Sequence, residues 1–525
     1  MAEKRRKPKM VGKVTAPQAA SPVTPPALAL PIMRASDITN YQSALAYLHE
    51  RVNLERVPQD LAAKHEYKLD RMHALCSALG NPQRGLKCVH VAGTKGKGST
   101  CEFIATMAQG CGLFVGLFTS PHISDIRERI RLGGKLISEL AFTDVCRQVA
   151  LVAEAIEDAP LDASQKSVST SPSFSASPVA GDAFSNGNAS DAQQPPATSP
   201  VQPDRATFFE LMTAMCFVHF AAEAVDLAVI EVGLGGLLDC TNVITPEVSV
   251  ITLIGRDHMQ ILGDTVELIA AQKAGIIKPG IPAITYVQNP LALSVFRATA
   301  KRSGAPLIIA GESPTYTILS EPTRSGQQQW MVSIKTEHFD VQALPVPIPG
   351  EHQAHNLALA LVTIDTLARR GMAITEAGAV AGLETTRLPG RFEVLRTTPR
   401  IVLDVAHNPE SIDALMKTLR QNLQFDSLVM VFGCASDKDW PAMLAHLATS
   451  CDKVFFTKST GSPRAQEPKD MYRTYTRTYQ KMAQISKTLP DAIRMAKAAA
   501  AAGDAICITG SFYLVGEAKK ILASQ

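Results

Sequence analysis

A segment rich in glycine and lysine, Val91–Thr100, has the sequence VAGTKGKGST and could grip a phosphate chain. An apolar run, LKCVHVAG, enters it, and a helical pattern, STCEFIATMAQGCG, leaves it. Glycines let backbone N–H groups point at an anion, and the helix start adds the positive end of its dipole. Lys97 can sit against the β- and γ-phosphates, and Ser99 or Thr100 offers a hydroxyl nearby. Gly98 stands where the loops of switches and motors have Ser or Thr, so the segment alone predicts only a nucleoside triphosphate site.

Three further residues could act beside such a loop. Glu231 ends the apolar run DLAVIE, where a carboxylate suits Mg²⁺. His258 follows the next apolar run at the same sheet edge, but imidazole is an unusual Mg²⁺ ligand, and spacing alone favours a hydrogen-bonded loop residue. Lys273 lies among apolar residues of a predicted helix, and is either a desolvated lysine with a lowered pKa or a snorkelling surface lysine.

A second polar group comes from later in the chain. Asn356, in GEHQAHN, would either read an adenine edge or cap a helix, and spacing does not separate these roles. Asp404, His407 and Asn408 lie together in DVAHNP, without an evident packing reason. Two polar clusters that face one nucleotide from two domains predict a cleft that closes on ATP.

Apolar runs that alternate with helical patterns position these residues. The runs are apolar throughout, as in parallel strands covered on both faces. The alternation predicts an α/β protein of two domains: an N-terminal domain with a phosphate loop and a doubly wound sheet, and a smaller, Rossmann-like C-terminal α/β domain. In the second domain, strands are predicted to end at Asp404, Gly433, Lys458 and Gly510.

The predicted boundaries follow composition. Residues 1–35 are basic and then rich in proline, which favours a disordered tail over a transit peptide or a polyanion-binding arm. Residues 36–389 form the predicted ATP-binding domain, whose first helix would start at a capping box of Thr39 and Gln42. Residues 164–203, rich in Ser, Pro, Ala and Asn, are predicted to be a disordered insertion, and residues 390–525 to be the second domain.

The whole-chain composition limits the functional classes. With 525 residues, the chain is long enough for more than one core, and its formal charge of +3 gives no argument for nucleic acid or an anionic membrane. No apolar run reaches the roughly 18 residues of a membrane-spanning helix. The ten cysteines are scattered, without a metal or disulfide spacing. These features predict a cytoplasmic protein, which we expect to be a monomer.

The motifs together resemble one family. They are HVAGTKGKGST, FTSPHISDIRERIRLGG, TFFELMTAMCF, EVGLGGLLDCTNV, IGRDHMQILGDTVELIAAQKAGIIKPG, GEHQAHN, LPGRFEV, DVAHNP, DKD and GSFYLVGE. Their order is similar to that in the folylpolyglutamate synthases, which belong with the Mur ligases and whose bacterial forms are often also dihydrofolate synthases. The resemblance runs from about residue 40 to the C-terminus. The family's loop, G-T-x-G-K-G-[ST], accounts for Gly98.

The resemblance implies a reaction and its partners. ATP would phosphorylate the terminal carboxylate of a folate, and free L-glutamate would attack the acyl phosphate. ATP and two Mg²⁺ ions are implied, with a monovalent cation as a further candidate. The acceptor would be a reduced folate or dihydropteroate.

The resemblance also assigns residues. Those that would hold the triphosphate are Gly93, Thr94, Lys95, Gly96, Lys97, Gly98 and Ser99. Other ATP contacts would be Asn356, Arg391, Asp404 and His407. The metal ligands would be Ser120, Glu231, His258 and Lys273, the last as a carbamate. The pteroate contacts would be Pro121, His122, Thr207, Phe208, Phe209, Glu210, Leu238, Asp239 and Cys240. Lys97, Lys273 and His258 are the predicted catalytic residues.

Some positions depart from the family pattern. Leu237 replaces a common Arg, so a charge for an anionic substrate is missing or supplied elsewhere. Val405 replaces a Gly, Arg387-Leu388 replaces a frequent Trp, and Lys95 stands where Asn is common. None of these changes removes a phosphate or metal group.

Three alternatives remain open from the residues. A Mur-type ligase would use a UDP-sugar peptide, and a signalling NTPase would hydrolyse nucleotide without glutamate. A nucleic-acid-associated ATPase would bind polyanions through its basic tail in a salt-sensitive way.

Overall fold

The computed structural model describes residues 33–57, 59–63, 65, 67–159, 205–324, 326–395 and 398–524. The predicted tail overlaps these residues only at its end, where Ala35 begins a short 3-10 helix and is fully buried. The rest of the tail and the whole predicted insertion, 164–203, lie outside the described residues.

The helices and strands alternate through most of the chain. The helices are α1 Tyr41–His49, α2 Gln59–Ala62, α3 Asp70–Ala78, α4 Lys97–Gly110, α5 Glu139–Glu157, α6 Phe208–Ala222, α7 Met259–Leu262, α8 Val266–Ala274, α9 Pro290–Ser303, α10 Glu351–Arg369, α11 Glu376–Glu384, α12 Pro409–Asn422, α13 Trp440–Ser450, α14 Pro468–Tyr479, α15 Leu489–Ala499 and α16 Phe512–Ala523. The strands are β1 Cys88–Ala92, β2 Val115–Phe118, β3 Ile130–Leu132, β4 Lys135–Leu136, β5 Leu227–Glu231, β6 Val248–Ile251, β7 Ala283–Tyr286, β8 Leu307–Ala310, β9 Tyr316–Pro322, β10 Gln328–Lys335, β11 Asp340–Pro345, β12 Glu393–Leu395, β13 Arg400–Leu403, β14 Leu428–Phe432, β15 Lys453–Phe456, β16 Ala483–Ile485 and β17 Ala505–Thr509.

The first sheet has eight strands in the described part of the chain, in the order β4-β3-β2-β5-β1-β6-β7-β8. The six strands from β2 to β8 in this order are parallel, whereas β3 and β4 form an antiparallel edge. Strand β1 lies between β5 and β6, and all five of its residues are buried. The carboxyl ends of these three strands therefore meet at one edge, where open α/β sheets bind their ligands.

Helices cover this sheet on both faces, which is why its strands are apolar throughout. Helices α4, α10 and α11 pack in one hydrophobic cluster, and α1, α3, α5 and α6 pack in another. The doubly wound sheet predicted from the sequence is confirmed.

One sheet was not predicted. Strands β9, β10 and β11 form an antiparallel sheet with the order β11-β10-β9. Its inward residues Val332, Ile334 and Val341 join the cluster that contains α10. The sheet lies between β8 and α10 in the chain, and through these residues it packs in the same cluster as α10.

The second sheet has six described strands in the order β12-β13-β17-β14-β15-β16, with β12 antiparallel and the others parallel. Two hydrophobic clusters cover its two faces. The predicted smaller α/β domain is confirmed. Its strands β13, β14 and β17 each end one residue before the predicted Asp404, Gly433 and Gly510, whereas β15 ends at Phe456, two residues before Lys458.

The first helix begins differently from the prediction. Asn40, not Thr39, is its N-cap residue, and the Asn40 side chain accepts from the Ser43 N–H at 3.0 Å. Ser43 Oγ is 3.0 Å from the Asn40 N–H, so Ser43 completes the capping box instead of Gln42. Among the described helices, none is long and apolar enough to cross a membrane.

Candidate active site between two sheet edges

A cavity of about 790 Å³ lies where the carboxyl edges of the two sheets face each other. Most of the predicted site residues line it. Those from the phosphate loop and the metal set are Gly93, Thr94, Lys95, Gly96, Lys97, Gly98, Ser99, Ser120, Glu231, His258 and Lys273. The others are Asn356, Arg391, Asp404, His407, Pro121, Thr207, Phe209, Glu210, Leu238, Asp239 and Cys240. His122 and Phe208 are not among the lining residues.

Hydrogen bonds join the phosphate loop to the segment that follows β6. The N–H groups of Thr94 and Lys95 both donate to the Leu253 carbonyl, at 2.8 and 3.2 Å. These two groups are therefore committed to the protein, contrary to a loop in which every N–H points at an anion. The N–H groups of the first turn of α4 have no partner within the helix, and they lie at the cavity wall. The phosphate would be held by this helix start.

Two lysines converge behind the loop. Lys97 Nζ donates to the Gly93 carbonyl oxygen at 3.2 Å, and Lys273 Nζ donates to the same oxygen at 2.9 Å. Lys273 is buried, so the snorkelling alternative is wrong. Its burial, followed by the nearby Lys97 charge, lowers the pKa of Lys273 to about 7. A lysine with this pKa is half neutral near neutral pH and can react as an amine.

Glu231 lies at the end of β5, with its carboxylate directed toward the loop. Its Oε2 accepts from the Ser120 N–H at 3.0 Å, and its Oε1 lies 4.0 Å from Lys97 Nζ. Burial raises the pKa of Glu231, although the Lys97 charge opposes this effect. Glu231 and the neighbouring Ser120 hydroxyl are oxygen donors that suit Mg²⁺.

The described residues contain no group of three or more His, Cys, Asp and Glu side chains that could hold a metal ion. Mg²⁺ takes one or two carboxylates and completes its shell with phosphate oxygens and water. The Lys273 ammonium is a donor and not a ligand, so a second ion fits this set only if Lys273 carries a carboxyl group.

His258 follows β6 and has a left-handed backbone, with φ of 53°. Its N–H donates to Asp257 Oδ1 at 2.9 Å, and the same oxygen accepts from Lys438 Nζ at 2.9 Å. Desolvation in the cleft lowers the pKa of His258, against the opposing charge of Asp257, although the His258 side chain is 37% exposed. The neutral imidazole is the form that binds a metal ion.

Asn356 lies in the second turn of α10, and Gly350 occupies the N-cap position, so the capping alternative for Asn356 is wrong. Its Nδ2 donates to Gln353 Oε1 at 3.1 Å. Gly96 has φ of 88°, and a Cβ at this position would overlap the Asn356 side chain. Asn356 thus packs against the phosphate loop at Gly96.

The second domain contributes a compact polar group. Asp404 accepts from the N–H groups of Phe392 and Ala406, each at 2.8 Å, so its loop is fixed. The Arg391 guanidinium lies over the Phe512 ring, 5.1 Å from its centroid. His407 Nδ1 lies 2.9 Å from the Val405 carbonyl, which favours a proton on Nδ1 and leaves Nε2 as the free ring nitrogen.

Asn408, beside this group, has a structural role. It caps α12 by accepting from the Ser411 N–H at 3.0 Å. The DVAHNP cluster therefore does have a packing reason in part: its last residues start a helix.

Two of the predicted pteroate contacts also cap a helix. Thr207 caps α6 in a capping box with Glu210, whose Oε2 accepts from the Thr207 N–H at 2.8 Å. Glu210 Oε1 also pairs with Arg71 Nε at 3.2 Å. Their polar atoms are thus largely committed to the protein.

Asp239 organises the turn after β5. Its Oδ2 accepts from the Leu234 N–H at 2.8 Å, and its Oδ1 accepts from the Thr241 N–H at 3.0 Å and the Thr241 hydroxyl at 2.5 Å. Burial raises the pKa of Asp239. The turn is held rigidly, and it presents Leu238 and Cys240 to the cavity.

This side of the cavity is mostly apolar and aromatic. Phe209, Leu238 and Cys240 line it together with Tyr67, which the sequence did not indicate. The Tyr67 hydroxyl is buried and has no hydrogen-bond partner among the described residues. A flat, partly polar ring system suits such a lobe.

His122 and Phe208 support the wall from behind it. Arg129 donates from Nε to His122 Nδ1 at 2.9 Å and lies over the Phe208 ring at 5.2 Å. Arg129 also pairs with Glu55, which lines the cavity. The two predicted substrate contacts therefore hold Arg129 instead of facing the cavity.

The residues that depart from the family pattern make the following contacts in the structure. Leu237 packs against Gly275 and is not among the lining residues of the cavity. Lys95 pairs with Glu410 of the second domain at 2.9 Å. Val405 is buried against Gly390, and Arg387 Nη1 donates to the Thr386 carbonyl at 2.8 Å.

Comparison with known proteins identifies the family. Two family models match: the Mur ligase middle domain over residues 188–364, and the Mur ligase, glutamate ligase domain over residues 390–512. The chain is 33% identical over 486 residues to the dihydrofolate synthase/folylpolyglutamate synthase of Bacillus subtilis (strain 168), covering 92% of this chain and 99% of that protein. The chain belongs to the dihydrofolate synthase/folylpolyglutamate synthase family.

Another member, from Mycobacterium tuberculosis, is 33% identical over 476 residues, covering 86% of this chain and 89% of that protein. The folylpolyglutamate synthase of Mycobacterium tuberculosis complexed with ADP and AMPPCP superposes with a TM-score of 0.74 at 28% identity, covering 92% of this chain and 98% of that chain. The enzyme from Thermotoga maritima gives a TM-score of 0.71 at 26% identity, covering 92% and 97%.

Proposed function

We propose that this chain is an ATP-dependent ligase that joins L-glutamate to the terminal carboxylate of tetrahydrofolate, and that 7,8-dihydropteroate is a second acceptor. One observation carries the proposal: the helix start at Lys97 and the Arg391–Asp404–His407 group open onto one cavity whose far lobe is apolar and aromatic. The first two features suit a nucleotide, and the lobe suits the flat ring of a folate.

The reaction has two steps. An oxygen of the folate carboxylate attacks the γ-phosphorus of ATP, and ADP leaves with the bridging oxygen. The neutral amino group of glutamate then attacks the acyl carbon and loses a proton. The tetrahedral intermediate collapses, the bond from carbon to the phosphate oxygen breaks, and an amide and free phosphate result.

The chain's residues supply charge and position. Lys97 and the first-turn N–H groups of α4 face the region of the phosphates and stabilise negative charge on the transferring group. Arg391 and His407, 5.1 and 5.6 Å from the Phe512 ring, contact the nucleotide from the second domain. Walls from both domains exclude water, which would otherwise hydrolyse the acyl phosphate.

Glu231 and Ser120 would hold Mg²⁺, with His258 and a carboxylated Lys273 at a second ion, and bound Mg²⁺ would neutralise charge on the phosphates. The proposed set of ATP, two Mg²⁺ ions and a monovalent cation follows the family resemblance. Of the residues that line the cavity, Glu231 and Ser120 are the oxygen donors proposed to hold Mg²⁺.

The proposal includes the domain boundaries 36–389 and 390–525. Support comes from the interval between the end of α11 at Glu384 and the start of β12 at Glu393. We also propose a monomeric, cytoplasmic enzyme that binds neither nucleic acid nor membranes. All ten cysteines are free thiols, which supports a reducing compartment.

The test follows labelled glutamate in the presence of ATP and Mg²⁺, with tetrahydrofolate and 7,8-dihydropteroate offered separately. Label in both products identifies a bifunctional enzyme, and label only with tetrahydrofolate identifies a dedicated polyglutamate synthase. ATP hydrolysis without label in either product contradicts the proposal and directs the test to UDP-sugar peptides.

A further inference from the structure

An ion pair crosses the cleft between the two domains. Lys438 Nζ lies 2.9 Å from Asp257 Oδ1, and the two side chains are only 11% and 14% exposed. Asp257 follows β6 at the carboxyl edge of the first sheet, and Lys438 follows β14 at the carboxyl edge of the second. The pair thus joins the two edges that form the cavity.

The Asp257 oxygen that receives Lys438 also receives the N–H of His258, again at 2.9 Å. His258 has φ of 53°, in the left-handed region, which is unfavourable for a residue with a side chain. Asp257 Oδ1 therefore links Lys438 of the second domain to the backbone of His258, whose side chain lines the cavity. A contact that fixes the carboxylate also fixes this strained backbone.

Two other polar contacts between described residues cross the cleft. Lys95 Nζ and Glu410 Oε2 are 2.9 Å apart, but their side chains are 25% and 64% exposed. Arg56 Nη2 donates to the Gly461 carbonyl at 3.0 Å. An exposed pair contributes little, whereas loss of one partner from a buried pair leaves an uncompensated charge. Among these polar contacts, the Asp257–Lys438 pair is thus the strongest candidate for one that sets the domain arrangement.

We propose that Lys438 is a positioning residue for ligation: it docks the second domain on Asp257, and this contact holds His258 in its place at the cavity. The inference rests on the proposed function for its activity assay. Lys438 itself also lines the cavity, so a direct contact with a substrate anion is the competing role. The two roles predict different behaviour of Asp257.

The experiment uses Asp257→Asn, Lys438→Met, the double variant and the conservative Lys438→Arg. If the pair positions His258, each neutralising variant lowers kcat by about 10- to 100-fold, as loss of a supporting contact around a ligand typically does. The double variant is no worse than either single variant, because both remove the same contact. KM for glutamate stays within about twofold, and Lys438→Arg keeps most of the activity.

The competing role gives the opposite pattern. A rise in the KM of glutamate or folate confined to the Lys438 variants, or effects of the two substitutions that multiply, would overturn the proposal. Lys417→Met is the matched control, because Lys417 forms an ion pair with Asp413 in the same domain but is 70% exposed. Its kinetics should match those of the wild type.

A second measurement is independent of ligation. Small-angle X-ray scattering is recorded with a non-hydrolysable ATP analogue. The radius of gyration should be larger for Asp257→Asn and Lys438→Met, by the same amount, than for the wild type and Lys417→Met. Unchanged profiles for both variants would refute the docking role. If the wild type adds no glutamate, the proposed function fails, while the scattering result still decides the role of the pair.

Discussion

Lys97 and Lys273 donate to one and the same carbonyl oxygen, that of Gly93, from 3.2 and 2.9 Å. The Lys97 charge opposes protonation of Lys273 at this shared acceptor. Burial first and the Lys97 charge second therefore lower the pKa of Lys273. The arrangement prepares the site for a polyphosphate or for a carboxylated lysine.

Lys97→Ala should lower ligation by about 100-fold or more, because a donor to the transferring phosphoryl group is removed from a buried site. Steady-state rates and nucleotide binding measure the effect. Lys87→Ala, at an exposed lysine that precedes β1, is the control and should behave as the wild type. Near-normal turnover of Lys97→Ala would contradict the nucleotide assignment.

Lys273→Ala should lose activity and regain part of it with formate or acetate, because a small carboxylate can replace the oxygens of a carbamate. Native mass spectrometry or ¹³C NMR with labelled bicarbonate should detect the carbamate in the wild type, since acid destroys it. Fully active enzyme that contains only unmodified Lys273 would refute this role.

The pH dependence of the same modification follows from the pKa of about 7. The group is charged below this pKa and neutral above it, and only the neutral amine reacts with CO₂. Between pH 6 and 8, the neutral fraction rises from about one tenth to about nine tenths. The rate of carbamate formation at fixed CO₂ should therefore rise over this range, measured by the recovery of activity after bicarbonate is added to bicarbonate-free enzyme.

Glu231→Gln should raise the Mg²⁺ concentration needed for half-maximal activity, since the substitution removes the buried carboxylate beside the phosphate loop. The amide oxygen can still accept from the Ser120 N–H, so the fold should persist, as circular dichroism can check. An unchanged Mg²⁺ titration would place the metal elsewhere.

Gly96→Ala should abolish nucleotide binding, because φ is 88° and the added Cβ would overlap Asn356. Gly112→Ala is a close control: φ is 86°, yet nothing lies within 4 Å of its Cβ position. Both variants should be less stable by roughly 1–2 kcal/mol from backbone strain. Only Gly96→Ala should lose nucleotide affinity, and equal affinity in the two variants would contradict the packing of Asn356 against the loop.

The sequence by itself determined the strand–loop–helix unit, the two α/β sheets and the polar residues at strand ends. These features are local: an apolar run specifies a buried strand, glycines specify the loop, and a strand's end places the next residue at the sheet edge. The wrong prediction of the first N-cap is also local. Thr39 and Asn40 are both good N-cap residues, and the backbone conformation selects Asn40.

The tertiary structure alone decided which side chains meet. Asp257 and Lys438 are 181 positions apart, and Lys97 and Lys273 reach Gly93 from different helices. It also decided that His122 and Phe208 hold Arg129 behind the wall and that Tyr67 faces the cavity. Such contacts depend on how whole sheets and domains pack, because burial and pairing are properties of residues brought together from distant parts of the chain, and no local pattern encodes them.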